Sequence, residues 1–327
     1  VSINRANLTD LLKEVRMPLV ENQAIEYLIA NLNQDERSTS SHWQKYHKDF
    51  QVNSNIEISG AVGFGGSAKE YKGVRKFLHS HFQKKFREMG KTFRDFSRID
   101  SLARQMTKVQ GRAYDLDVLR QTLTLSFLVS KLEMFKEKPT VAVIGDGFAS
   151  MSLLLLLSGF AKKVILVNLS KTLLVDILYF QKYSKSQKFS SFALLTESVE
   201  NISDLTQDLI CIQASNHEFL KSFPIDLFIN IASMQEMNPD TIENYFKDIR
   251  EVAKQKTSYF YCCNRVEKKF PDGTVVKFFD YPWSSHDQIL VDELCPWHQQ
   301  YYSLRPPFYR PYDGPIQHRL VKISGEK

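Results

Sequence analysis

The chain of 327 residues is short of cysteine, glycine, proline and long apolar runs, and each shortage excludes something. Four cysteines, Cys211, Cys262, Cys263 and Cys295, show no Cys-x-x-Cys spacing and include an adjacent pair, unlike a disulfide framework. Reduced thiols in a cytoplasmic protein are the expectation, and the sequons at Asn7, Asn168 and Asn201 then carry no meaning. With Gly 13 and Pro 11 the chain is neither collagenous nor of low complexity. No apolar run approaches the roughly 18 residues of a membrane span, and Val1 to Asn7 lack the pattern of a signal peptide. What is present, 43% hydrophobic and 24% charged residues, suits a compact globular fold with room for a main domain and a smaller one.

The net charge of +6 is uneven. Residues 1–138 hold 23 Lys and Arg against 16 Asp and Glu, whereas residues 139–327 hold 20 against 21. The excess concentrates at residues 69–112, with 13 basic side chains against 4 acidic ones. Phe77, Phe82, Phe86, Phe93 and Phe96 fall there near helical spacing, which marks the apolar face of a helical stretch from Tyr71 to Lys108. Basic and aromatic residues together also suit nucleic acid, and a positively charged cap over the pocket mouth, attracting an anionic small substrate, fits at least as well. Further upstream, Leu8, Leu11, Leu12 and Val15 and then Ile25 to Leu32 read as helical. The glycines between Asn53 and Gly66 indicate a loop or short hairpin, and no Gly-Lys-Ser/Thr follows to make them a phosphate cradle.

Asp115 to Phe135 is expected to form a strong helix, ended by Pro139, after which the text changes character. Strands are expected at 141–145, 163–169, 209–213, 227–231, 258–262 and 319–323, with helices at 151–157, 171–183 and 239–254. Alternation at this spacing implies a doubly wound α/β fold, a parallel sheet with helices on both faces. The boundary is drawn at a helical, basic cap of residues 1–108 and a sheet domain of residues 109–327.

The first of these strands runs into Gly145-Asp146-Gly147-Phe148-Ala149-Ser150 and directly into a helix. A tight glycine turn there lets backbone amides approach a ligand at the carboxyl edge of the sheet. Ser150 stands where a third glycine of a dinucleotide pattern would be, which favours a smaller nucleoside-containing ligand over a pyrophosphate. Asn168 ends the second strand, where it can hold a ribose hydroxyl or cap the next helix. Gln213, Ser215 and Asn216 follow the third strand and can read an adenine edge or serve as ordinary loop residues.

At the fourth strand the text is Asp226-Leu-Phe-Ile-Asn230-Ile-Ala-Ser233-Met-Gln-Glu236-Met237. With Gly111-Arg112-Ala-Tyr114 upstream and Asp280-Tyr-Pro-Trp283 downstream, it resembles the bacterial sugar O-methyltransferases, class I enzymes dependent on S-adenosyl-L-methionine. The likeness runs from about Arg112 to the carboxyl end, and Asn-x-x-Ser-x-x-Glu-Met is its most specific part. It implies a Rossmann-like, seven-stranded class I methyltransferase sheet with a last antiparallel strand, preceded by a helical extension. It also implies Gly145, Asp146 and Gly147 at the methionine part of the cofactor, Asn168 at the ribose, Gln213, Ser215 and Asn216 at the adenine, and Asn230 to Glu236 between cofactor and acceptor.

Methyl transfer to a sugar hydroxyl gains from a base as well as from alignment. His286 is the first expectation for that base, in an aromatic loop over the pocket, with Glu236 as the other candidate. Arg112, Asp280, Trp283, Asp287 and His298 are expected to bind the substrate, and the aromatic segment from Asp280 to Arg310 either stacks on sugar rings or packs on its own domain. Asp280, Asp287, Asp292 and Glu293 cluster locally, but a solvated acidic face is the plainer reading and no metal is assigned. The expected function is methylation of a sugar hydroxyl in glycan biosynthesis, on an anionic acceptor such as a nucleotide sugar or a glycan precursor. The rivals are a nucleic-acid-binding protein or RNA methyltransferase using the basic helices, and a nucleotide-dependent oxidoreductase. The number of assembled chains stays open.

Overall fold

A computed structural model describes residues 18–33, 39–60, 69–197 and 205–325. The helix expected at Leu8 to Val15 and the glycines from Gly63 to Gly66 lie outside the described residues. Fifteen strands are described: β1 (Leu19–Val20), β2 (Gln51–Val52), β3 (Ile58–Ser59), β4 (Thr140–Ile144), β5 (Lys163–Asn168), β6 (Phe192–Leu195), β7 (Leu209–Gln213), β8 (Leu227–Ile231), β9 (Ser258–Arg265), β10 (Glu267–Lys269), β11 (Val275–Lys277), β12 (Gln288–Leu294), β13 (Gln300–Tyr302), β14 (Tyr309–Pro311) and β15 (Ile316–Ile323). Nine of them form one sheet in the order β1-β6-β7-β5-β4-β8-β9-β15-β12, and the rest pair as three hairpins.

From β6 to β9 the sheet is parallel. β15 runs against both β9 and β12, so β12 is again parallel to β9. The stretch from β7 to β12 is therefore the doubly wound sheet of seven strands with one reversed member that was expected. β6 and β1 extend it at one edge. Its strands are buried on both faces, which explains their continuous apolar text. Val141 and Val143 face one core, while Ala142 and Ile144 face the other.

The second core is closed by the Pro239–Gln255 helix. Proline at its start suits a first helical turn, and Ile242, Tyr245, Phe246, Ile249 and Val252 form its buried stripe. The first core is covered by the Leu116–Lys131 helix, whose cap residue Asp115 accepts from the amides of Asp117 and Val118, each at 3.1 Å. The basic stretch is two helices, Gly73–Gly90 and Phe96–Gln110. Their buried Phe86, Phe96, Ile99 and Met106 belong to the same apolar cluster as Val141 and Val164, so the boundary drawn at residue 108 crosses a continuous core. Phe77, expected on the apolar face, is instead 69% exposed.

Candidate functional site

In an open parallel sheet, chain connections leave a crevice where two neighbouring strands continue in opposite directions. Here that point is the carboxyl end of β4, between β5 and β8. Gly145 leaves β4 with φ 72°, its amide donating to the Val167 carbonyl at 2.8 Å. A Cβ at Gly145 would lie 2.0 Å from the Ser233 Oγ, so only glycine fits this approach. Phe148 and Ala149 also occupy the left-handed region before the Ser150–Leu157 helix begins.

The turn is braced from behind. Asp146 folds its carboxylate onto that helix start, accepting from the amides of Gly147 at 2.8 Å, Met151 at 3.1 Å and Ser152 at 2.8 Å. Asp176, fully buried, accepts from the Ala149 amide at 3.0 Å and from Asn168 Nδ2 at 2.8 Å. Burial raises both carboxyls, and Asp146 raises that of Asp176 further. Arg112 lies beside them, its guanidinium donating to Gln110 at 2.7 Å and to Ser150 Oγ at 2.5 Å over the Phe148 ring. Arg112, expected at the substrate, is thus an internal brace of the turn.

In front of the turn two cavities meet along a shared wall of Trp43, Gly145, Asn168, Ser233 and Glu236. The first is a narrow slot over the ends of β5 and β7, lined further by Val167, Leu169, Ala214, Asn238, Thr241 and Tyr245. The second, wider, spreads over β4, β8 and β9 and adds Asp146, Gly147, Arg120, Gln235, Arg265, His298 and Tyr312. Tyr312 lies between the guanidinium groups of Arg120 and Arg265, at 5.1 and 5.2 Å from its ring centre.

Glu236 is the acidic residue common to both cavities. Its Oε1 accepts from Lys268 Nζ at 2.9 Å and lies 3.4 Å from His42 Nε2. Burial pushes this carboxyl up, but His42 and Lys268 outweigh it and hold the group below its ordinary range. His298 is buried on the wall of the larger cavity, and burial, Arg120 and His318 together hold its imidazole neutral. Asn168 uses one amide hydrogen on Asp176 and one oxygen lone pair on the Leu169 amide at 3.0 Å, which leaves one of each for a ligand.

Gly145, Asp146, Gly147, Asn168, Glu236 and His298 are thus brought together as expected residues, and others are not. Asn230 lies beneath the turn as a clamp: its Nδ2 donates to the Ile144 carbonyl at 2.7 Å, and its Oδ1 accepts from Met234 N at 3.0 Å and Asn264 Nδ2 at 2.8 Å. Gln213 is buried and donates to Ser170 Oγ at 2.8 Å. Ser215 and Asn216 belong to the short Ala214–Ser222 helix and line neither cavity, where Ala214 stands instead.

His286 is at the wrong end of the sheet. β12 is parallel to β9, with Gln288 opposite Lys322 and Lys322 opposite Tyr259, so the residues entering β12 must sit at the amino edge of the parallel strands. His286 is exposed there. Asp287 binds Arg250 through both oxygens at 3.0 Å, and Trp283 packs on Phe246 and Phe260 with the Arg319 guanidinium 4.7 Å above it. Asp280 is exposed beside them. Asp292 is paired with Arg319, and Glu293 lies 3.5 Å from His318, so the acidic cluster is dispersed into separate contacts. The aromatic segment packs on its own helices: Trp297 Nε1 donates to Thr124 at 3.1 Å, and the Tyr309 hydroxyl donates to the Phe82 carbonyl at 3.0 Å.

Sequence reasoning missed Trp43, Arg120, Arg265 and Tyr312. Arg265 escaped because it ends a strand that was expected to stop at Cys262. The basic helices, expected over the pocket mouth, border a separate groove lined by Lys76, Arg104 and Lys108.

No protein-family model and no curated protein matches the sequence. Among solved structures the chain is similar to M. capricolum TrmK in complex with S-adenosyl-homocysteine, at 13% identity over 58% of this chain and 68% of that one, with a TM-score of 0.33. It is also similar to the mitomycin 7-O-methyltransferase MmcR, at 10% identity over 63% and 57% of the two chains and a TM-score of 0.34. A protein of Pyrococcus horikoshii shares 16% identity over 62% and 88%, with a TM-score of 0.37. Likenesses this weak say nothing of activity.

Proposed function

We propose that the protein is an S-adenosyl-L-methionine-dependent O-methyltransferase that binds the methyl donor in the slot and a hydroxylated acceptor in the larger cavity. The observation that carries this reading is the shared wall: a glycine turn at the switch point opens onto two cavities that meet at Gly145, Asn168, Ser233 and Glu236. The slot suits a nucleoside, with Trp43, Leu169 and Tyr245 to cover a base and Asn168 to hold a ribose hydroxyl. When bound, the donor supplies a sulfonium methyl. The protein's part is to align an acceptor oxygen with that methyl across the shared wall and to take its proton. Glu236 is the candidate for both tasks: it is ionised at neutral pH and reaches both cavities, although Lys268 and His42 make it a weaker base than a free carboxylate. We propose a sugar hydroxyl on a glycan precursor as acceptor. The charged lining of the larger cavity is Arg120 and Arg265 against Asp117, Asp146 and Glu236, which favours an uncharged polyhydroxylated face over a polyphosphate.

Calorimetric titration with S-adenosyl-homocysteine tests the donor site. Saturable binding is expected, together with its loss in Leu169→Trp, which fills the slot, while thermal unfolding stays near that of the parent. A folded parent protein that binds no S-adenosyl-homocysteine would refute the reading. A second reading, methylation of RNA, draws on the exposed basic face of the Gly73–Gly90 helix, with Lys72, Arg75, Lys76, Lys84 and Lys85. It requires RNA binding that falls steeply with salt, and mass spectrometry of products from sugar and RNA panels separates the two.

A further inference from the structure

The Sγ atoms of Cys263 and Cys295 and a ring nitrogen of His298 lie within 4.8 Å of one another, all three residues buried. Among the described residues this is the one group of three or more His, Cys, Asp or Glu side chains placed closely enough to hold a metal ion. Two strands and a turn bring it together. Cys263 is on β9, while Cys295 directly follows β12, where its amide donates to the Ile316 carbonyl at 2.9 Å. The chain then turns so that the His298 amide donates to the Cys295 carbonyl at 3.1 Å, which puts both side chains of Cys295-Pro-Trp-His298 on one side. Trp297, held by Thr124, fixes the turn. His298 Nε2 is buried without a hydrogen-bond partner, a nitrogen that a metal ion would satisfy.

We infer that Cys263, Cys295 and His298 form a zinc site whose fourth coordination position faces the larger cavity. Two thiolates and one imidazole are a soft donor set that selects zinc over magnesium or calcium. A tetrahedral zinc with Zn–S of about 2.3 Å and Zn–N of about 2.0 Å spaces its ligand atoms by roughly 3.5 Å, so a spacing within 4.8 Å needs closure by no more than about 1.3 Å. Arg120 is close by, its Nε donating to the Trp297 carbonyl at 3.1 Å between Cys295 and His298. Binding converts two thiols to thiolates and releases two protons to solvent, leaving a site of zero net charge beside that arginine. Of the three ligands, His298 lies on the cavity wall with Gly147 and Glu236, so the ion enters from that side and the fourth position is left to water or an acceptor oxygen. Cys262 points to the opposite core and takes no part.

Protein purified without chelator should hold about one zinc per chain by elemental analysis. After stripping, cobalt(II) added alone should give thiolate-to-cobalt charge-transfer absorption, displaced by zinc(II). Both signals should be lost in Cys295→Ser and His298→Gln and kept in Cys262→Ser, with folding followed by circular dichroism. Should the ligand variants fail to fold, the proton count on the unaltered chain decides: zinc addition should release about two protons per ion near neutral pH. A folded, stripped chain that gives no charge-transfer band with cobalt overturns the site. So does retention of zinc by both ligand variants, or a thiol count showing Cys263 and Cys295 joined as a disulfide.

Discussion

Replacing Gly145 by alanine tests whether the turn is built as described. Two separate costs are expected. The residue holds φ 72°, where a side chain costs roughly 1–2 kcal/mol relative to glycine, less the few tenths returned because alanine restricts the unfolded chain. The added Cβ would stand 2.0 Å from Ser233 Oγ and 2.5 Å from Ser233 Cβ, so Ser233 must retreat by over an ångström to restore ordinary contact. Overpacking of that kind costs ~1–3 kcal/mol. Gly145→Ala should therefore lose about 2–4 kcal/mol in urea unfolding, read as a lowered midpoint at unchanged slope. Ser233→Gly removes both clashing atoms. In the double variant the steric part should be recovered while the backbone part stays, giving a coupling of about 1–3 kcal/mol. If the two substitutions add to within about 0.5 kcal/mol, Gly145 and Ser233 do not touch, and the shared wall of the two cavities is not formed as argued.

Asn230→Ala removes the clamp that ties β4, β8 and β9 and leaves the Ile144 carbonyl, the Met234 amide and Asn264 without that partner. It should cost about 2–5 kcal/mol in the same assay. Glu236→Gln should leave S-adenosyl-homocysteine affinity within a few-fold while methyl transfer falls ~100- to 10,000-fold in kcat; an unchanged kcat would remove Glu236 from the chemistry. Burial raises the Asp287 carboxyl, but Arg250 and the amides of Ser284 and Ser324 outweigh it and hold the group below its ordinary value. A depressed carboxyl stabilises the fold above its unfolded pKa and loses that contribution as pH falls through the folded one. Asp287→Asn should therefore be less stable than the parent at pH 7, with the difference closing below about pH 4, as chemical unfolding across pH will show.

β4, β5, β7, β8 and β9 were legible because strands buried on both faces read as unbroken apolar runs, and the intervening helices show a stripe or a proline start. In the main sheet β1, β6 and β12 escaped, as did the end of β9; β6 is a run of only four residues, Phe192–Leu195. β12 alternates exposed and partly exposed residues at the sheet edge, Gln288–Leu294, so its text lacks an apolar run. β9 continues through Asn264 and Arg265, which pair with Gln317 and Ile316 although their side chains are polar. β1 is two residues long and gains its place only by pairing with β6. Missing β12 had a functional consequence, because its direction decides which edge of the sheet receives His286 and which receives His298.

The charge asymmetry changes meaning in the same way. A sequence shows how many cations a segment carries but not where they point, and the excess between residues 69 and 112 was expected over the pocket. Much of it is spent locally: Arg87 and Arg104 pair with Asp100, Arg98 with Asp95, and Arg94 with Glu133. Lys76, Arg104 and Lys108 face a groove that shares no residue with either cavity. Charge at the candidate site comes from Arg120, Arg265 and Lys268, each already opposite Asp117, Asp313 or Glu236. An ion pair satisfied within the protein attracts little beyond itself once screened over roughly 8 Å of physiological salt. The acceptor must then be chosen by hydrogen bonds and by the shape of the cavity around Tyr312, so acceptor affinity should change little with ionic strength, whereas an anion held by unpaired cations would be lost as salt rises. Measuring KM for the methylated acceptor at low and high salt separates the two.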